Sequence, residues 1–136
     1  MSNDTSNAFN PVSYEEILHY DPLVFLNYLG QFIQPVSFNV ESQEEMKCAA
    51  NELGSIASRF TVLSTLYAYA GVIKRSMGRN GKTSEYEDMI DRERILETYL
   101  KTLDMQYRAL TKGVNVHMEA NRELYYTDGI GPRKNG

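Results

Sequence analysis

Apolar and polar positions follow a seven-residue beat along this chain, and the beat is written twice. Met46, Leu53, Phe60, Tyr67 and Lys74 recur at intervals of seven, with Ala49, Ile56, Leu63, Ala70 and Met77 three places after each. A second run sets Tyr86, Glu93, Leu100, Tyr107, Val114 and Asn121 in one series and Met89, Leu96, Leu103, Leu110, His117 and Leu124 in the other. Alternating steps of three and four keep such residues on one side of an α-helix. Between the runs lies Gly78-Arg79-Asn80-Gly81-Lys82, too short and too glycine-rich for anything but a turn. Two heptad helices joined this tightly fold back on each other. The pattern therefore predicts an all-α fold, a long antiparallel coiled-coil-like helical hairpin with a small N-terminal helical cap.

Helix starts are punctuated by one device. Ser13-Tyr14-Glu15-Glu16, Ser42-Gln43-Glu44-Glu45 and Ser84-Glu85-Tyr86-Glu87 all read S-x-x-E, the capping box in which the serine and the glutamate satisfy each other's backbone N–H groups. Asp21-Pro22 is a fourth start, with aspartate as cap and proline at the first helical position. These signals predict helices over 14–20, 22–33, 43–77 and 85–126, with an extended connector at 34–40. In a single domain, 1–12 is a flexible tail, 13–40 the cap and connector, 41–126 the hairpin and 127–136 a basic flexible tail. The segment 22–33 is apolar nearly all round and needs cover, either on the hairpin or on a neighbouring subunit. Gly54 and Gly71 inside the third helix are expected to mark close helix approach or a bend. Thr111 to Val116 is the weak stretch of the fourth, which the surviving heptad phase predicts to be continuous or merely bent.

Charge changes the picture more than composition does. The net charge of −4 hides strong segregation. Residues 1–52 hold eight acids and one base, 53–84 five bases and no acid, and 85–97 six acids against Arg92 and Arg94. An acidic total argues against a dedicated duplex-DNA binder, but one basic end can still meet a phosphate chain, particularly in an assembly of several copies. No uninterrupted apolar run approaches the roughly 18 residues of a membrane span. The polar N-terminus does not read as a secretory signal. Cys48 stands alone, is expected to be a buried, inert thiol, and suits a reducing, cytoplasmic compartment.

Candidate chemistry is thin. His117 and Asn121 read as polar seam residues, and His19 as a surface residue. Glu16-Ile17-Leu18-His19 matches the Glu-x-x-His of a di-metal bundle once, but no second copy exists because Val114 stands three before His117. The turn lacks the glycine spacing of a phosphate loop. No nucleophile has a base beside it, so neither enzyme activity, metal nor cofactor is expected. What remains is the basic end. Lys74, Arg75, Arg79 and Lys82 cluster at the turn, and Lys101, Arg108 and Lys112 fall within about 40° of one another on the fourth helix. Tyr67, Tyr69, Tyr99 and Tyr107 are candidates to stack on bases, although Tyr67 and Tyr107 hold seam positions. Cations interleaved with aromatics can track a single strand by charge and stacking.

Lys74-Arg75, then Ser76 through Lys82, then Ile90 through Leu124, resemble the recombination mediator (UvsY) family of T-even-type phages. In that family a long helix ends in basic residues, a glycine-and-arginine turn follows, and a second long helical region closes the chain. Ala109 through Val116 followed by Arg122-Glu123-Leu124-Tyr125-Tyr126 is similar to the family's C-terminal stretch. Ser76-Met77 stands where the family has an aromatic pair, and 22–33 has no counterpart. The resemblance implies a phage-encoded, oligomeric accessory protein of DNA recombination or replication in the host cytoplasm. It would bind single-stranded DNA weakly per subunit, with Lys74 and Arg75 on the phosphates and Arg79 and Lys82 as accessory contacts. Its implied partners are a strand-exchange recombinase and the single-strand-binding protein. The rival expectation is a protein–protein interaction module, a virion component or an inhibitor of a host or defence protein, with no DNA binding.

Overall fold

The computed structural model describes residues 13–37 and 39–127, the side chains of 123–127 excepted. Four helices follow in chain order: α1 (Tyr14–Leu18), α2 (Pro22–Gly30), α3 (Gln43–Gly78) and α4 (Ser84–Thr127). The two long helices pack against each other as an all-α hairpin, and no strand occurs among the described residues. Helix α4 runs unbroken through Gly113. The tail expected at 1–12 lies outside the described residues, as does the one expected at 127–136 except for Thr127, which ends α4.

At α1 and α3 the serines cap as the motif specifies, and the other parts of the signals depart from it. Ser13 Oγ accepts from Glu16 N at 3.2 Å, and Ser42 Oγ accepts from Glu45 N at 3.1 Å. The Glu45 carboxylate reaches past the serine to take Glu41 N at 2.8 Å. At α4 the cap is Thr83 rather than Ser84: its Oγ1 accepts from Tyr86 N at 3.2 Å. Asp21 occupies the cap position of α2 with no side-chain hydrogen bond, so the fixed backbone of Pro22 carries that start.

The heptad reading is half right about the seam. The series Ala49, Ile56, Leu63, Ala70 and the series Met89, Leu96, Leu103, Leu110, His117 are buried throughout. The companion series is not: Phe60 and Tyr107 are exposed, and Leu53, Tyr67 and Leu100 are half-buried. The second buried column instead lies three residues after the first, at Arg59, Leu66 and Arg92. Both arginines bury their stems and hydrogen-bond their heads, which is how a charged residue occupies such a position.

The chain divides into two compact units, each drawing on both long helices. The first comprises residues up to 34 together with 61–100. Here Phe25, Leu29 and Phe32 of the 22–33 segment are buried within the chain itself, while Leu23, Val24 and Leu26 of α2 remain exposed. The segment is therefore covered in cis along one side only. Arg92 closes the unit: its Nη1 donates to the carbonyls of Leu18, at 3.1 Å, and Tyr20, and its guanidinium lies 5.1 Å from the Phe25 ring centre. Those carbonyls are the orphaned acceptors of a helix end, so the cation meets the negative end of α1. Tyr28 packs edge-on to Tyr20 and Phe32, and burial, then the neighbouring Tyr14 and Tyr20, pushes its phenol above the ordinary value.

The second unit comprises 35–60 with 101 onward. Arg59 is held by Glu52 at 2.8 Å and by the Ser55 carbonyl, both on its own helix. His117 and Asn121 bond each other at 3.2 Å, which pairs the two polar seam residues one helical turn apart. Cys48, expected to be buried, is exposed: it sits one residue off the buried line that Ala49 occupies.

A Cβ at Gly54 would meet nothing within 4 Å, and at Gly71 it would make ordinary contact with Glu93, whereas at Gly78 it would lie 3.1 Å from the Tyr86 ring. Close approach is thus a property of the turn. Helix α3 also carries an 18-residue stretch of mean hydropathy 1.3, a third of it buried, so by length and composition alone it is apolar enough to cross a membrane. Uninterrupted apolar runs do not expose this, because serine and threonine break the runs without lowering the average much.

Candidate nucleic-acid interface

The basic turn is built by backbone demands. Asn80 N donates to Met77 O at 3.0 Å and Gly81 N to Gly78 O at 3.3 Å, which winds α3 down through two tight turns. Gly81 takes φ +103°, a conformation open to glycine and strained for other residues. Gly78 leaves room for the Tyr86 ring from the first turn of α4. Arg79 and Lys82 flank these two glycines, so the geometry that closes the hairpin also projects its cations outward.

The seven expected contact residues do not form one surface of equivalent charges. Lys74, Arg75, Arg79 and Lys82 belong to the first unit; Lys101, Arg108 and Lys112 belong to the second. At the turn, Lys74 is already engaged: its Nζ lies 2.7 Å from Glu93 Oε1, with both side chains largely covered. The hydrogen bond to Glu93 holds its ammonium above the usual lysine value. A lysine so committed would have to break an ion pair before meeting a phosphate. Arg75, Arg79 and Lys82 are exposed, and among the described residues no ion pair engages them. This is notable because Glu85, Glu87 and Asp88 follow within a few residues. Those acids stay at the dipole-positive start of α4.

On α4 of the second unit, Lys101, Arg108 and Lys112 are all exposed, as their spacing requires. Arg108 is paired with Asp104 at 3.0 Å. The aromatic partners divide as well. Tyr67 and Tyr99 are half-buried, Tyr69 is exposed with its ring 5.3 Å from that of Tyr14, and Tyr107, placed in the seam by its spacing, is exposed.

Arg92 is a functional-looking residue that sequence reasoning misses, since it sits among the six acids of 85–97 and looks solvated. Its partners lie 72 and 74 residues away, so nothing in the local sequence could announce them. Two open clefts adjoin it, one of about 230 Å³ beside His19, Tyr20, Glu85 and Asp88, and one of about 180 Å³ beside Phe25, Leu26 and Asp91. In the second unit a cleft of about 260 Å³ runs between the connector at 35–39 and Glu45, Cys48 and Glu52. Both of its carboxylates are engaged, Glu45 by Glu41 N and Glu52 by Arg59. Among the described residues no group of three or more histidines, cysteines or carboxylates is placed to hold a metal. Compared with known proteins, the chain matches no family model, no curated protein and no solved structure.

Proposed function

We propose that this chain is a non-enzymatic, self-associating accessory protein that holds single-stranded DNA through the turn of its hairpin. The observation that carries the reading is the trio Arg75, Arg79 and Lys82, exposed and outside any described ion pair on a glycine-built turn. Such cations exchange condensed counterions for phosphate contacts, and few contacts per chain give weak, salt-sensitive binding that assembly multiplies. Lys74 takes a supporting place through Glu93 rather than a phosphate. The resemblance to the phage recombination mediators extends the reading to a role beside a recombinase and a single-strand-binding protein in the cytoplasm of a phage-infected cell.

Fluorescence anisotropy of a labelled single-stranded oligonucleotide tests it, at about 50 and about 300 mM salt. Binding should collapse at the higher salt, and the triple variant Arg75→Ala/Arg79→Ala/Lys82→Ala should flatten the salt slope. Equal binding by the variant would remove the turn from the account. A second reading, a protein-interaction module without DNA binding, is favoured by the outer face of α2, where Leu23 is 80% exposed beside Val24 and Leu26. That reading gains if the oligonucleotide is ignored at both salts and a Leu23→Asp variant loses a protein partner that the wild type retains.

A further inference from the structure

We infer that two copies of the chain pair antiparallel through one stripe of α4, centred on Gly113. The inference rests on the self-associating part of the reading above and supplies its interface. At about 100° per residue, Asp104, Tyr107, Thr111, Asn115, Met118 and Arg122 fall along one side of the helix, with Arg108 and Glu119 on one flank. The centre of that side lies about 100° round the helix from the buried column of Leu103, Leu110 and His117. Tyr107 is 41% exposed and Met118 48%, so two large apolar groups stand bare on it.

What points to a second copy as the occupant is the order of the residues. The charges along the stripe run acid, base, then acid, base: Asp104, Arg108, Glu119, Arg122. Read backwards the same series runs base, acid, base, acid. An antiparallel copy reversed about Gly113 therefore sets Asp104 against Arg122 and Arg108 against Glu119, and two-fold symmetry makes each pair twice. The same reversal sets Tyr107 on Met118, a favourable sulfur–aromatic contact. These charged and apolar layers are complementary. A parallel copy would instead oppose each charge with its like.

Within one chain Asp104–Arg108 and Glu119–Arg122 are already paired at 3.0 and 3.4 Å, with side chains roughly half exposed or more. Exposed pairs of this kind hold little free energy, so sharing them with a partner sacrifices little. One residue opposes the arrangement. Lys112 lies beside its own copy near the axis, a like-charge meeting that keeps the pairing modest.

Sedimentation velocity on the full chain across about 5–200 µM tests the register. Arg108→Glu and Glu119→Arg should each weaken self-association about tenfold, and the double variant should return it to near the wild-type value, because the swapped charges again meet opposites. Lys112→Gln should tighten it. Circular dichroism at 222 nm checks that each variant remains helical. A monomer at all concentrations, a silent single variant, an unrescued double variant or a weakened Lys112→Gln chain would each overturn the pairing. The turn variant Arg75→Ala/Arg79→Ala/Lys82→Ala leaves the stripe whole. It should keep the wild-type association constant even if DNA binding is lost or was never present, so the two readings fail separately.

Discussion

Each of the two units of this protein buries an arginine, and the partners described for the two differ in reach. Arg92 of the first reaches carbonyls contributed by a different part of the chain and lies over the ring of Phe25. Arg59 of the second counts Glu52 and Ser55 of its own helix among its partners. The first unit is also tied across the hairpin by Lys74 and Glu93, whereas the pairs Arg108–Asp104 and Arg122–Glu119 of the second stay within one helix. A polar tie between elements specifies how they dock. A polar tie within one helix stabilises that helix and leaves docking to the apolar seam. Loss of Arg92 or Lys74 should therefore undock elements of the first unit, and loss of Arg108 or Arg122 should cost the second only local helix stability.

The largest test of that contrast is apolar. Leu29→Ala, at a fully buried position of α2, should cost about 2–5 kcal/mol in urea unfolding, whereas Leu23→Ala on the exposed side should fall within about 0.5 kcal/mol. Equal losses would mean that α2 does not pack by the face described. Next, Arg92→Leu takes the donor from a buried carbonyl at Leu18 and a part-buried one at Tyr20 and should cost about 2–4 kcal/mol. Hydrogen exchange should then rise over 14–30 while 101–122 keeps its protection; a uniform rise would erase the distinction between the units. Arg59→Leu should cost only about 1 kcal/mol, since the abandoned Glu52 carboxylate can still reach water. A loss as large as that of Arg92→Leu would show that both arginines act as ties.

The smallest effect is one of pH, and it sorts the units again. Tyr28 and Lys74 both belong to the first unit and both have folded values raised above their unfolded ones. A raised group contributes stability that is present in full below its unfolded value and is lost as pH rises through the folded value. The first unit should accordingly weaken above about pH 10, where free tyrosine and lysine begin to titrate. Tyrosinate absorbance at 295 nm should lag in the wild type and lose its slowest component in Tyr28→Phe. An unchanged titration curve in that variant would remove Tyr28 from the account.

Much of the fold was legible because helices announce themselves by spacing and by caps. The hairpin, its turn and the buried column through Leu63 and Leu96 all follow from period seven and from two glycines. The second column did not, since apolar Phe60 and Tyr107 advertise burial more loudly than Arg59 and Arg92. Only the angle at which the helices meet decides between them, and that angle is a property of the pair. The same limit applies to the site. Arg75, Arg79 and Lys82 project from a turn that local sequence dictates, so their exposure could be read. The engagement of Lys74 needed its partner across the hairpin, although a clue was present: Lys74 and Glu93 belong to the same heptad series on facing helices, with opposite charge.

The reach of Arg92 has a consequence in time. During synthesis α2 leaves the ribosome long before its latch exists, because Arg92 follows Tyr20 by 72 residues. At roughly 5–20 residues per second, the bare helix waits on the order of 4–14 s. Throughout that interval the Phe25 ring lacks the guanidinium that lies over it, and the Leu18 and Tyr20 carbonyls lack their donor. A nascent chain stalled before residue 92 would present a sticky amphipathic arm, and chaperone capture should fall once the latch emerges.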